Sequence, residues 1–280
     1  MYPTKAPGSD GLPAVFYQKL WGSIGLSVTS ACLSVLNDSA LIGGMNNTVI
    51  SLIPKIQTLE RVSDFRPISL CNVIYKIIAK AITNRLRKAM GGVISENQCA
   101  FIPGRLISDN TIVDFECLHR LKRMRRKNGS MEIKLDVSKA YDRVEWVFLE
   151  GMMHKLGFSK KWTSLILRCV ESVTYSFLIN GEMCGNIKSS RGLKQGALFR
   201  HSFSFFLFCT EGLTSLIQGA QKRGTVTGFK CSRGGPVVTH HFFADDSLLF
   251  TKANEANCVA LKSLLDDYAR ASDQVINSDK

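Results

Sequence analysis

An α+β fold with a small sheet covered on one side by helices is what this sequence predicts. Amphipathic stretches of helical period, the longest over 72–90, alternate with short and widely spaced β-branched runs. Hydrophobic residues form 45% of the chain, enough for a packed interior and too many for global disorder. A length of 280 residues fits one large domain or two smaller ones sharing a core. No internal repeat or low-complexity block is present.

The elements follow in order. The opening Lys5-Ala-Pro-Gly-Ser-Asp-Gly-Leu-Pro13 is a turn built from helix breakers. Helices are predicted over 14–21 and 28–36, the second ended by Asn37-Asp38. Residues 48–54 read as a strand that proline stops, and 64–69 as a compact loop. The helix over 72–90 carries Ile74, Ile77, Ile78, Ala81, Ile82 and Leu86 on one face, with Lys76, Lys80, Arg85 and Lys88 opposite. Gly91-Gly92 closes it, and 101–105 form another turn. Asp109 is positioned to cap the next helix, whose end is basic. Asn128-Gly129 leads into an alternating strand over 132–137. Helices over 144–156 and 161–171 precede a strand over 174–179 and a hairpin turn at Asn180-Gly181. A loop over 188–196, a helix that contains 205–217, strands over 239–243 and 247–250, and a helix over 254–271 complete the chain.

Charge narrows the partners. There are 36 Lys+Arg against 23 Asp+Glu, a formal charge of +13, which favours a polyanion such as DNA or RNA over a merely soluble basic protein. The nine cysteines are scattered with no CxxC pair, so reduced thiols inside the cell, several of them buried as small apolar fillers, are expected rather than a zinc site. No signal peptide is indicated, and the most lipid-like stretch, 203–208, is too short to span a bilayer. The basic run Arg123-Met-Arg-Arg-Lys127 reads as a solvated helix end rather than a targeting tag.

Acidic residues inside apolar strands carry the chemistry. Asp245 and Asp246 sit between Phe242-Phe243 and Leu248-Leu249-Phe250, a setting in which adjacent carboxylates need a cation or donors. An exposed Asp-rich turn is the plainer alternative. Asp136 is a second intrusion of charge into an apolar strand. Aspartates on two neighbouring strands can hold a pair of Mg²⁺ ions, which prefer oxygen ligands and retain water. Asp142 has structural uses, capping the helix near Val144 or bonding Arg143.

Lys134-Leu-Asp-Val-Ser-Lys-Ala-Tyr-Asp-Arg-Val144 resembles the first aspartate motif of LINE-type (non-LTR) reverse transcriptases, especially those of plants, and Phe243-Ala-Asp-Asp-Ser-Leu-Leu-Phe250 their paired-aspartate motif. Arg66-Pro-Ile-Ser-Leu-Cys-Asn-Val-Ile-Tyr-Lys76, Gln98-Cys-Ala-Phe-Ile-Pro-Gly-Arg105 and Asp109-Asn110 are similar to the finger region. Ala6-Pro-Gly-Ser-Asp-Gly-Leu-Pro13, Ser51-Leu-Ile-Pro-Lys55, Asn180-Gly181 and Arg191-Gly-Leu-Lys-Gln-Gly196 continue the series, in order over nearly the whole chain.

The resemblance implies fingers over 1–130 and a palm over 131–280, whose small antiparallel sheet packs on helices. It implies an RNA-directed DNA polymerase that extends a DNA primer on an RNA template with deoxynucleoside triphosphates and two Mg²⁺ ions, or Mn²⁺ in their place. Asp136, Asp245 and Asp246 become the metal ligands and, with Lys280 as proton donor to pyrophosphate, the catalytic set. Tyr141 becomes the sugar gate, although core packing is its plainer use. Arg66 and Arg105 become phosphate contacts, although either can pair with a local carboxylate. Gln195 and Gly196 become the loop against template and nucleotide, where Gly196 permits close approach. Action in the nucleus is what the intact family implies.

One segment departs from the pattern. After Gln195-Gly196 the family continues with Asp-Pro-Leu-Ser-Pro, whereas Ala197-Leu-Phe-Arg-His-Ser-Phe-Ser-Phe-Phe206 stands here before the match resumes at Cys209. A local reading-frame disturbance in a decaying element explains a mismatch flanked by matches. The chain also stops where family members continue into a thumb, so weak or lost synthesis is expected. The alternatives are a catalytically inactive nucleic-acid-binding remnant, or a basic structural protein that docks through apolar faces.

Overall fold

The computed structural model describes residues 1–37, 43–124, 129–193, 200–232, 234–243 and 246–277. Its elements are α1 (Ala14–Lys19), α2 (Trp21–Asn37), β1 (Asn47–Pro54), β2 (Phe65–Cys71), α3 (Val73–Val93), α4 (Ile107–Arg123), β3 (Ser130–Ser138), α5 (Trp146–Lys155) and α6 (Lys160–Glu171). There follow β4 (Thr174–Ile179), β5 (Glu182–Lys188), α7 (Arg200–Lys222), β6 (Phe229–Lys230), β7 (Val237–Val238), β8 (His240–Phe243), β9 (Asp246–Lys252), α8 (Glu255–Ser272) and β10 (Val275–Ile276). Compactness divides the chain discontinuously, into Met1–Arg85 with Gly157–Ser202 and Leu86–Leu156 with Phe203–Lys280.

In the first unit the strands are ordered β2-β1-β4-β5. The β-branched run of β1 pairs antiparallel with β2 and parallel with β4. A loop was expected at 64–69, but Phe65–Cys71 is a strand. Its Pro67 lacks an N–H, which an edge strand tolerates. Asn180 (φ 51°) and Gly181 (φ 87°) form the two-residue turn from β4 into β5, because a hairpin of this hand needs positive φ at both central positions.

Helix α2 starts at Trp21, earlier than the predicted 28, and α3 runs through Gly91-Gly92 to Val93. The buried face of α3 includes Tyr75, Ile78, Ile82 and Leu86, and the Tyr75 hydroxyl donates to the Cys169 carbonyl of α6 at 3.1 Å. Lys76, placed by helical period on the outer face, is instead buried. Its ammonium points at the Ala6 carbonyl, 3.5 Å away, and burial lowers its pKa. The opening turn folds over the start of this helix. Ser9 Oγ and the Asp10 N–H both donate to Asn72 Oδ1 at 3.3 Å. A Cβ on Gly8 would lie 2.1 Å from that oxygen, so no side chain fits at this position. Two distant motifs, 6–13 and 66–76, thus meet at Asn72.

The second unit is built on an antiparallel sheet ordered β10-β3-β9-β8. Alternation sends Leu135 and Leu249 to one face, where they pack with Leu213 and Ile217 of α7 and Leu261, Leu264 and Tyr268 of α8. Phe250 takes the other face and joins Cys117 of α4 with Phe229 and Val238 of the β6–β7 ribbon. The sheet is therefore partly covered on its second face as well. Helix α7 contains the predicted 205–217, and Phe205 to Phe208 are buried along it. Residues 97–99 add a short parallel rung to β8. The Phe242 N–H donates to the Asn97 carbonyl at 2.8 Å, and the Cys99 N–H to the Phe242 carbonyl at 3.3 Å.

Candidate active site

Strands β3 and β9 run antiparallel in a register that puts Asp136 directly opposite Asp246. Directly opposed residues point to the same face, with Cβ atoms about 4.5–5.5 Å apart. Both carboxylates thus lie at one end of the face whose other end is closed by Phe250 and α4. Phe243 is the partner of Asp246 on β8, so Asp246 begins its strand between two paired neighbours. Asp136 is half-buried and Asp246 exposed. Local alternation explains why a hydrophobic strand can carry these charges: Leu135 and Ser247 turn to the buried face and leave Asp136 and Asp246 on the opposite one.

Two groups nearby moderate the negative charge. Lys134 lies diagonally across the same face, its ammonium 3.7 Å from Asp246 Oδ1. Asn277, immediately after β10, donates its N–H to the Asp136 carbonyl at 2.8 Å, and its side-chain amide lies 3.5 Å from Asp136 Oδ2. The sequence reading missed Asn277, because Val275–Ile276 is too short to reveal a strand by period. Gln274 supports the same edge by donating to the Ala140 carbonyl at 3.0 Å.

A cavity of about 200 Å³ adjoins Asp246 and is lined also by Phe243, Leu248, Asn110, Asp114 and His241. Asp114 Oδ1 and His241 Nδ1 are 2.5 Å apart, a contact that joins α4 to β8. His240 points to the opposite, buried side. Burial, with His241 as a smaller cause, lowers its pKa to about 3, so it is neutral at physiological pH. Its Nδ1 meets Thr239 Oγ1 at 2.9 Å, while Nε2 has no hydrogen-bond partner among the described residues.

The other expected site residues have local surroundings of their own. Tyr141 is buried, its ring tilted against Phe206 with centroids 4.6 Å apart. Arg105 donates to the carbonyls of Ser95 and Gln98 at 2.5 Å and of Ile94 at 2.8 Å, which fixes the turn after α3. Glu211 accepts from the N–H and Oγ of Ser95 at 3.1 and 3.0 Å in the same region, and burial raises its pKa. Arg66 is exposed on β2 in the first unit. Asp142 does not cap α5, which begins at Trp146 after Glu145. Asp109 lies inside the first turn of α4, where its carboxylate accepts the Leu106 N–H at 3.0 Å. Asp245, Gln195, Gly196 and Lys280 lie outside the described residues.

Oxygen-only donors on adjacent strands suit Mg²⁺, which completes its shell with water and substrate. The register brings two such carboxylates together, and no group of three His, Cys, Asp or Glu able to hold a metal occurs among the described residues.

The family model described as reverse transcriptase (RNA-dependent DNA polymerase) matches residues 53–280. The chain belongs to the reverse transcriptase family. It is a domain of the LINE, or non-LTR retrotransposon, type. The transposon TX1 149 kDa protein of Xenopus laevis is 28% identical over 99% of this chain and 20% of its own length. The Pol polyprotein of the type-2 retrotransposable element R2DM of Drosophila melanogaster is 26% identical over 99% of this chain and 24% of its own length. This reverse transcriptase domain therefore spans about a fifth to a quarter of those relatives. Among solved structures, telomerase from Candida albicans, in complex with a fragment of telomeric RNA, superposes with a TM-score of 0.55 at 13% identity. That match covers 96% of this chain and 46% of that one. Apo telomerase from Candida tropicalis gives 0.50 at 14% identity, over 92% and 56%. These two likenesses establish the fold. No described helix is long and apolar enough to cross a membrane.

Proposed function

We propose that this reverse transcriptase domain is the core of an RNA-directed DNA polymerase that adds deoxynucleotides to a primer 3′-hydroxyl. The observation that carries the reading is the opposition of Asp136 and Asp246 on one face of the β3–β9 pair. Asp136, Asp245 and Asp246 would hold two Mg²⁺ ions, or Mn²⁺. Such ions would lower the pKa of the primer hydroxyl and stabilise charge on the transferred phosphate and pyrophosphate. The protein's own contribution is positioning. Asn277 would orient Asp136 through its backbone and side-chain contacts, and Lys134 places its ammonium 3.7 Å from Asp246 Oδ1.

In this reading residues 1–130 act as fingers and 131–280 as palm. Arg66, an exposed residue of β2, would offer its guanidinium to phosphate. Arg105 would meet phosphate only through donors left over, because three of its five N–H groups are used by carbonyls. Gln195 and Gly196 would face template and nucleotide, and Lys280 would protonate the departing pyrophosphate. An RNA template and a DNA primer account for the charge of +13.

A specific observation favours the second reading, a nucleic-acid-binding remnant without turnover. A sugar gate needs an open ring face, and Tyr141 is covered by Phe206 from the segment that departs from the family pattern. Primer extension on an RNA template with Mg²⁺ separates the two. Incorporation that disappears in Asp246→Asn supports the polymerase. Salt-sensitive primer-template binding without incorporation supports the remnant.

A further inference from the structure

Away from the carboxylates, the second unit holds two thiols in unusual proximity. Cys117 Sγ on α4 and Cys231 Sγ, directly after β6, are 3.1 Å apart. That separation lies inside ordinary van der Waals contact and about 1 Å beyond the 2.05 Å of a sulfur–sulfur bond. Both side chains belong to the small cluster with Phe229, Val238 and Phe250. We propose that Cys117 and Cys231 form a reversible disulfide that clamps α4 to the β6–β7 ribbon, the oxidant being a low-molecular-weight disulfide.

The division of labour follows from exposure. Cys231 is half-buried and reachable, whereas Cys117 is 0% exposed and its pKa is raised by burial and by its neighbour. Cys231 loses its proton and attacks one sulfur of oxidised glutathione. The oxidant's S–S bond breaks, and the first glutathione leaves as a thiolate that takes up the proton. Cys117 then attacks Cys231 Sγ, and its proton accompanies the second glutathione. Two protein thiols are oxidised and one small disulfide is reduced to two thiols. The bond would fix the helix that carries Asp114, and with it one wall of the cavity beside Asp246.

The test uses the full folded chain and needs no polymerase activity. After exposure to oxidised glutathione, acid quenching and alkylation, the wild type is expected to lose two hydrogens and two alkylation sites. Peptide mapping is expected to join Cys117 to Cys231, with the exposed Cys184 and Cys258 still alkylated. The thermal midpoint is expected to rise by about 5 °C, to fall back with dithiothreitol, and to show no rise in Cys231→Ser. Separate alkylation of Cys117 and Cys231 after oxidation overturns the proposal, as does a midpoint rise that persists in Cys231→Ser. The wild-type peptide map decides the matter even if Cys117→Ser fails to fold.

Discussion

The two four-stranded sheets use apolar residues in opposite ways. In the first, every residue of β5 is exposed, including Met183 and Ile187, so this hairpin arm contributes pairing but little burial. In the second, β9 is packed on both faces, Leu249 against α7 and α8 and Phe250 against α4 and the ribbon, and Asp246 stands at its exposed first position. The contrast teaches that a charged residue is informative where its strand is otherwise buried. Lys188 and Glu182 on β5 sit among exposed neighbours and imply nothing, while Asp136 and Asp246 each adjoin a buried residue of their strand, Leu135 and Ser247.

The comparison can be broken most decisively at the carboxylates. If the polymerase reading holds, Asp246→Asn or Asp136→Asn lowers Mg²⁺-dependent incorporation by about 10³-fold, equivalent to about 4 kcal/mol of barrier, with thermal stability retained. Steady-state primer extension on the purified variants checks this, and near wild-type rates in either would remove the metal assignment. Next in size, Phe250→Ala should cost about 3–5 kcal/mol in a urea titration, because its 1% exposed ring fills a closed cluster. Ile187→Thr on β5 should stay within about 0.5 kcal/mol, since that side chain is half in water already. Equal losses at both positions would erase the distinction between the sheets.

Acid should act on the second sheet through His240. Its pKa is lowered in the fold to about 3 from the ordinary 6.5, so the unfolded chain takes up a proton first. This contribution is complete above pH 6.5 and is lost as pH falls towards 3, at a slope of about 1.4 kcal/mol per pH unit. Urea midpoints at pH 7 and pH 5 measure the slope, and His240→Leu should reduce it. A small effect is also expected at the first sheet's hairpin. Asn180→Ala, at φ 51°, should cost about 1 kcal/mol because a Cβ without a compensating amide is strained there. An unchanged midpoint would show that the turn is not set by its dihedral preference.

Much of the site was visible in one dimension. The alternation around Asp136 and Asp246, the Asn180-Gly181 turn and the long stripe of α3 all arise from residues within a few positions of one another. The loop expected at 64–69 proved a strand because β1 supplies a pairing partner, and Lys76 proved buried because the distant opening turn supplies a cover. Arg105, read as a phosphate contact, has three carbonyls around it that no spacing rule announces.

What the sequence determined by itself was the class of elements, their order, and which strands bear carboxylates, since these follow from side-chain period and backbone preference. Tertiary structure alone decided that Asp136 stands opposite Asp246, that Asn277 closes the edge beside them, and that Cys117 and Cys231 meet from positions 114 residues apart. The reason is physical. A strand's own residues specify its two faces, but its register and neighbours are chosen by the burial that the whole chain achieves when those faces close.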